Sequence, residues 1–229
     1  MNVAIIAAAG QGKRLGGKRA KQFLELAGTP IIIHTLKRFE QCASVDEIFV
    51  VLPAGDASGF LTLAAKYGLG KLRRVVAGGA TRAESVWRGL QAVRAATARI
   101  DAVHDGVRPF VTPEEISRTI EAADEYGAAI LTTPATDTIK EVEKGRVRHT
   151  LNRADLRHAL TPQCFRYALL RRAYEEAGDL SAEMTDDSAL VERLGLPVAV
   201  VEGDARNIKI TRPADIALAE ILLREFEGK

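Results

Sequence analysis

The sequence predicts an α/β fold built on a mainly parallel sheet with helices on both faces. Three observations carry that expectation. Short β-rich runs at 3–7, 47–52, 72–77, 100–104, 128–133 and 197–202 alternate with amphipathic stretches, the βα rhythm that builds such sheets. The chain has 229 residues of which 47% are hydrophobic, enough to bury one large core without a second domain. The first apolar run passes at once into a loop rich in glycine and basic residues. In such sheets, ligands bind beyond the carboxyl ends of the strands.

Each element has a local reason. Val3-Ala4-Ile5-Ile6-Ala7-Ala8-Ala9 is a continuous apolar run, as a strand buried on both faces requires. Helices are expected at 30–42, 57–67, 81–97, 113–126, 165–177, 185–194 and 213–226. Val86, Leu90 and Val93 in the third of these recur on one face, with Arg88 and Arg94 elsewhere. Pro213 suits the first position of the last helix. Residues 135–161 break the rhythm. Two polar extended stretches surround Lys144-Gly145, which reads as a hairpin too polar for the core. It is either a surface flap or an arm that packs on a partner.

Composition bounds the function. The net charge is +2, with 32 basic and 30 acidic residues, and nucleic-acid binders usually carry a larger local excess. Nucleic acid is therefore not an expected partner. Cys42 and Cys164 lack metal-ligand spacing and read as free buried thiols of a reducing compartment. No run has the length of a membrane span, and a polar loop begins too early for a signal peptide. A cytoplasmic protein without a membrane partner is the expectation. The histidines His34, His104, His149 and His158 are not spaced as a metal site.

The loop from Gly10 to Gln22 is the most informative stretch. Gly10 and Gly12 let backbone N–H groups approach an anion, and five Lys and Arg residues add charge. The spacing Gly10-x-Gly12-x-x-x-Gly16 is one residue too long for a dinucleotide fingerprint. The second strand ends in Pro53, leaving no carboxylate for a ribose. A Walker loop would need Ser or Thr where Arg19 stands. Arg14 and Lys21, seven residues apart, could clamp both sides of a phosphorus undergoing substitution. A nucleoside triphosphate fits these features better than a merely solvated basic loop.

Other motifs sit at strand ends. Gly78-Gly79-Ala80-Thr81-Arg82-Ala83-Glu84-Ser85 could turn under a flat base, with the Ser85 hydroxyl bonded to it. The same residues also read as an ordinary turn with a capping box from Thr81 to Glu84. His104-Asp105-Gly106-Val107-Arg108-Pro109 places a carboxylate where it could meet magnesium or a substrate hydroxyl, and Arg108 could grip a second phosphate. Asp137-Thr138, Arg153, Thr161 and Asn207-Ile208-Lys209 are further polar sites, none diagnostic alone.

Taken in order, A-A-A-G-x-G-x-R-L-G with K-Q, G-G-x-x-R-x-x-S-V, H-D-x-x-R-P, D-T-I-K, A-L-T-P-Q and N-I-K-I-T-R-P span residues 3–225. This ordered set resembles the 2-C-methyl-D-erythritol 4-phosphate cytidylyltransferases of the non-mevalonate isoprenoid pathway. Two positions depart from that pattern: Ala20 stands where the family usually has Pro, and Ala80 where some members have Asp. The cyclodiphosphate synthase sometimes fused behind such enzymes would not fit in the residues that follow the match, so the resemblance implies the cytidylyltransferase alone. The resemblance implies a single Rossmann-like nucleotidyltransferase domain over 1–229, with 135–161 as a β-hairpin dimerisation arm. It implies CTP and methylerythritol 4-phosphate as substrates, a homodimer, and Mg2+ or another divalent cation held by the CTP phosphates, with Asp105 a possible ligand. It implies catalytic roles for Arg14, Lys21 and Lys209. Arg153, Thr161, Thr138, Asp105 and Arg108 would bind the acceptor, Arg153 and Thr161 reaching it from the neighbouring subunit's arm. Ala8, Ala9, Gly10, Gly12, Gly79, Ser85 and Gly106 would hold the nucleotide. A ribitol 5-phosphate cytidylyltransferase, a sugar-1-phosphate nucleotidylyltransferase and a non-catalytic nucleotide-binding regulator are the alternatives.

Overall fold

In the computed structural model, which describes residues 1–10, 20–178, 180 and 186–226, seven strands form one sheet. They are β1 (Asn2–Ala7), β4 (Glu47–Leu52), β5 (Leu72–Ala77), β6 (Ile100–Asp105), β7 (Ala128–Pro134), β10 (Arg157–Arg166) and β11 (Ala199–Glu202). Strands β2 (Glu25–Leu26) and β3 (Thr29–Pro30) pair apart from it, as do β8 (Lys140–Glu143) and β9 (Arg146–Thr150). The sheet order is β11-β7-β10-β6-β1-β4-β5. Every neighbour pair is parallel except the two made by β10.

Alternation sorts the core onto both faces. Ala4 and Ile6 of β1 pack with Ile32, Leu36 and Phe39 of α1 (Ile31–Gln41), Phe60 and Ala64 of α2 (Ala57–Ala65), and Ile116, Ile120 and Ala123 of α4 (Pro113–Tyr126). Val3 and Ile5 face the other side. They meet Val86 and Leu90 of α3 (Arg82–Ala92), Leu170 and Ala173 of α5 (Tyr167–Ala177), and Leu190 and Val191 of α6 (Ser188–Arg193). A smaller cluster gathers Phe110 and Ile210 under Ala219, Leu222 and Leu223 of α7 (Pro213–Phe226). Cys42 and Cys164 are free thiols in the first of these cores.

The expected helices form: α4 and α7 keep the expected bounds, whereas the helix expected over 81–97 stops at Ala92, with Val93 as its C-cap and Arg94 beyond it. Helix α4 starts with a complete capping box: Glu115 N–H donates to Thr112 Oγ1 and Thr112 N–H donates to Glu115 Oε2. The box expected at Thr81 is shifted. Thr81 Oγ1 accepts from Glu84 N–H, but the Glu84 carboxylate reaches back to Ala80 N–H at 2.7 Å.

One strand departs from the expectation. The sequence pattern puts 157–161 in the arm and 165 onward in a helix, yet 157–166 runs inside the sheet. Pro162 makes this stretch read against a central strand, since proline donates nothing to a ladder. The structure resolves the conflict with a register shift between Ala159 and Gln163, where Pro162 sits in a bulge. The hairpin itself is β8 and β9, joined through Lys144 and Gly145 at φ 49° and 75°, the two positive φ values of a tight hairpin turn. It leaves from the carboxyl end of β7 and returns into β10. Its base therefore stands on the same sheet edge as the carboxyl ends of β1, β4, β5 and β6.

Candidate functional site: a cation cluster at the sheet edge

Strand β1 ends between β4 and β6, and its last residues open onto the carboxyl edge of the sheet. Ala8 N–H donates to Val51 O at 2.9 Å, which fixes the chain just before Gly10. Lys21 begins a short 3-10 turn (Lys21–Phe23), and its Cε lies 4.0 Å from where a Cβ on Gly10 would stand. Lys21 thus overhangs the end of β1. Gly106 packs so close that a Cβ there would come within 2.7 Å of the Ala8 Cβ, so only glycine lets the β6 end meet the β1 end. Gly12 and Arg14 lie outside the described residues.

The turn after β5 is held by Ser85. Gly79 N–H donates to Ser85 Oγ at 3.0 Å, and Ser85 Oγ donates to Thr81 O at 2.8 Å. The single proton of this buried hydroxyl is therefore committed. Toward a base, Ser85 can only accept.

Asp105 is the centre of the site. Its Oδ2 lies 2.9 Å from Lys209 Nζ and 3.3 Å from Arg108 Nε, while its Oδ1 lies 3.4 Å from Arg82 Nε. Burial pushes the carboxyl upward, but Arg82, Lys209 and Arg108 outweigh it and hold Asp105 well below the usual carboxylate range. Burial pulls the Arg108 guanidinium down, opposed by Asp105. Arg108 is also spent on Asn207 O at 2.7 Å, leaving Lys209, with its side chain 37% exposed, as the cation of this group most open to a ligand.

Thr161 completes a buried chain behind the carboxylate. His104 Nε2 lies 3.1 Å from Arg108 O, a pure acceptor, so this nitrogen carries the proton. His104 Nδ1 must then accept from the Thr161 hydroxyl at 2.9 Å, and Thr161 Oγ1 accepts from Asp105 N–H at 3.2 Å. Burial lowers the His104 pKa to about 4, consistent with a neutral ring. Asn207 Nδ2 donates to Thr161 O at 2.9 Å, tying the Lys209 segment to the bulge of β10.

Thr161 therefore sits in the sheet beside Asp105 of its own chain rather than out on the hairpin. The expected delivery of Thr161 to a neighbour by the arm does not describe this geometry. The reason is that β10 begins at Arg157 and pairs with β7 from there. Arg153 and Thr138 do lie on the arm segment. Arg153 is exposed, and its Nη1 donates to Thr136 O at 2.7 Å. Among the described residues, neither bonds to the Asp105 group. Of the sequence candidates, the structure brings together Ala8, Ala9, Gly10, Lys21, Gly79, Ser85, Asp105, Gly106, Arg108, Thr161 and Lys209 along one edge.

Two participants were not foreseen from sequence. Arg82 reaches both Asp105 and Asp187, the latter at 2.8 Å from Nη2. Asp187 is buried and takes the Tyr174 hydroxyl at 2.5 Å. Arg82 was visible as part of the Gly78–Ser85 motif, but nothing local marks Asp187.

Among the described residues, the carboxylate at the centre of the site, Asp105, is already engaged by Lys209, Arg108 and Arg82. Among the described residues, no group of three or more His, Cys, Asp or Glu side chains converges. Asp105 is surrounded by cations that a dication would have to displace.

A family model described as 2-C-methyl-D-erythritol 4-phosphate cytidylyltransferase matches residues 2–225. A protein of that name from Geobacter metallireducens is 46% identical over 226 residues, spanning 97% of each chain. One from Bacillus velezensis is 42% identical over 227 residues, spanning 99% of this chain and 97% of the relative. The crystal structure of 4-diphosphocytidyl-2C-methyl-D-erythritol synthase from Anaerococcus prevotii superposes with a TM-score of 0.85 at 34% identity, covering 97% of this chain and 98% of that one. The crystal structure of the 2-C-methyl-D-erythritol 4-phosphate cytidylyltransferase from Thermus thermophilus gives a TM-score of 0.79 at 37% identity, covering 96% of this chain and 98% of that one.

Proposed function

The chain belongs to the 2-C-methyl-D-erythritol 4-phosphate cytidylyltransferase family, and from that membership we propose that it transfers CMP from CTP to 2-C-methyl-D-erythritol 4-phosphate. The products are 4-(cytidine 5'-diphospho)-2-C-methyl-D-erythritol and pyrophosphate. The observation that carries this reading is the Asp105 carboxylate, which organises Lys209, Arg108 and Arg82 beside the β1 end overhung by Lys21. Two anions must meet in such a reaction, and the fixed positive charge gathered around Asp105 supports the reading.

The acceptor's phosphate oxygen attacks the α-phosphorus of CTP in line. The new P–O bond forms as the bond to the bridging oxygen breaks, and its electron pair leaves on pyrophosphate. No covalent enzyme intermediate is needed, so catalysis is positioning plus charge stabilisation. Lys21, with Arg14 of the same loop, takes the charge that builds on the α-phosphate. Lys209, steadied by Asp105, holds the acceptor phosphate. Arg108 is spent on Asp105 and Asn207, so its part is to keep that cradle in shape. Thr161 and Asp105 line the acceptor side. Ala8, Ala9, Gly10, Gly12, Gly79, Ser85 and Gly106 frame the nucleotide, and Ser85 can accept from an exocyclic amino group such as cytosine presents.

A divalent cation, Mg2+ or similar, would be held by the triphosphate oxygens and would mask their charge. This matches an edge whose central carboxylate is already engaged by cations. The arm, which ends where β10 begins at Arg157 and stands on the site edge, joins two copies as a homodimer and carries Arg153 and Thr138 toward the partner's acceptor pocket. No helix among the described residues is long and apolar enough to cross a membrane, in keeping with a cytoplasmic setting.

The test is pyrophosphate release with each of the four nucleoside triphosphates against methylerythritol 4-phosphate, ribitol 5-phosphate and sugar 1-phosphates. Turnover with CTP and methylerythritol 4-phosphate is the expected result. Preference for ribitol 5-phosphate, or binding of CTP with no turnover, would overturn it.

A further inference from the structure

Arg82 stands at the first turn of α3, directly after its cap Thr81. Its guanidinium spans two carboxylates on different elements. Nε faces Asp105 Oδ1 at 3.4 Å at the end of β6, and Nη2 faces Asp187 Oδ2 at 2.8 Å at the start of α6. Asp187 is itself fixed. Its Oδ1 takes the Tyr174 hydroxyl from α5 at 2.5 Å, and its N–H donates to Gln163 Oε1 of β10 at 3.0 Å. Among the described residues, Arg82 is the one ion-pair partner of Asp187.

The two oxygens of Asp105 have different work. Oδ2 faces Lys209 and Arg108, while Oδ1 faces Arg82. A carboxylate held on one oxygen alone can rotate about its Cβ–Cγ bond, since this terminal torsion is broad. Engaging Oδ1 removes that freedom and fixes where Oδ2 points, and hence where the Lys209 ammonium rests. A planar guanidinium presents donors in a fixed fork, so it can bridge two carboxylates at a set spacing, which a lysine cannot.

We propose that Arg82 is a positioning residue for the reaction proposed above: anchored on Asp187, it locks the orientation of Asp105 and thereby places Lys209 for the acceptor phosphate. The anchor ties α5, α6 and β10 to the site, so packing on that face of the sheet is transmitted to the reacting groups. Arg82 itself need not touch either substrate.

The obvious variant, Arg82→Gln, leaves Asp187 as a buried charge without its ion pair, and loss of fold would follow for reasons unrelated to catalysis. The informative variant is Arg82→Gln with Asp187→Asn, which removes both charges together. Its Tm should return to near that of the wild type, while kcat stays about ten- to a hundredfold low, as for a modest misplacement of reacting groups. The KM for CTP should barely change. Wild-type kcat in this folded double variant would overturn the proposal, because a merely structural ion pair would then be fully relieved. Arg82→Lys provides the same comparison if the double variant does not fold. It keeps a cation beside Asp187 but lacks the fork, so kcat should fall at an unchanged Tm, and unchanged kcat would count against Arg82. A second readout needs no substrate. The NMR signal of the Lys209 side-chain ammonium, assigned with Lys209→Gln, should shift in both Arg82 variants. A wild type inactive with CTP and methylerythritol 4-phosphate would break the functional reading, whereas an unmoved Lys209 signal would break this one.

Discussion

Replacing Asp101 by valine should stabilise the protein, and by an amount that grows with pH. Asp101 lies inside β6 with no solvent exposure, and neither carboxylate oxygen has a hydrogen-bond partner. It alternates with Ala102 and therefore shares the sheet face of Val103, whose neighbours are Val3, Ile5 and Phe165. Burial pushes its carboxyl from 3.8 up to about 8. The folded state thus keeps the proton up to about pH 8, whereas the unfolded chain loses it near its ordinary pKa. Between those values the unfolded state binds fewer protons, so stability falls as pH rises, and above the folded pKa the loss levels off. Each pH unit in that window costs about 1.4 kcal/mol. From about pH 5 to about pH 8 the wild type should lose roughly 4 kcal/mol from this group, an upper figure that local relaxation and water entry would reduce. Valine has the branched shape favoured in strands and leaves no polar atom unpaired. Urea unfolding of both proteins across that pH range, followed by circular dichroism and analysed as two-state, measures the difference directly. A gap between the two that stays constant with pH would refute the reasoning, since Asp101 would then titrate alike in the folded and unfolded chains.

Lys21→Ala and Arg14→Ala should each lower kcat by on the order of a hundredfold or more, as for a lost oxyanion donor, with a smaller change in the KM for CTP. A rise in KM alone would reduce either residue to a ground-state phosphate contact. Activity should disappear in excess EDTA and return with added magnesium, read by pyrophosphate release; full activity in the chelator would remove the divalent cation from the scheme. Arg153→Ala and Lys21→Ala, each inactive alone, should recover about one quarter of wild-type activity after joint unfolding and reassembly, since half of the random dimers are mixed and each has one intact site. Mixed dimers confirmed by mass but without activity would place Arg153 in its own subunit's site.

Short apolar runs and the helical recurrence of apolar residues were enough to locate β1, β4, β5, β6, β7 and β11 and helices α1 to α7, because local sequence records which faces each element buries. Lys144-Gly145 marked the hairpin turn for the same local reason. Strand β10 was not legible. Pro162 argues against a central strand, and a bulge in the pairing of β10 with β7, which holds the strand on both sides of it, makes room for the proline. That strand decides the site, since it brings Thr161 to Asp105 and Gln163 to Asp187. Asp105, Arg108 and Lys209 could be named from their residue types and strand-end positions. Their meeting on one carboxylate, together with Arg82, depends on the order in which strands pair and on where the chain after β11 returns. Arg82 to Asp105 spans 23 residues and Gln163 to Asp187 spans 24, separations at which neither helical nor strand period carries information. Burial then set the chemistry. The same residue type became a locked anion at Asp105, where three cations surround it, and a proton-holding acid at Asp101, where burial alone sets its pKa.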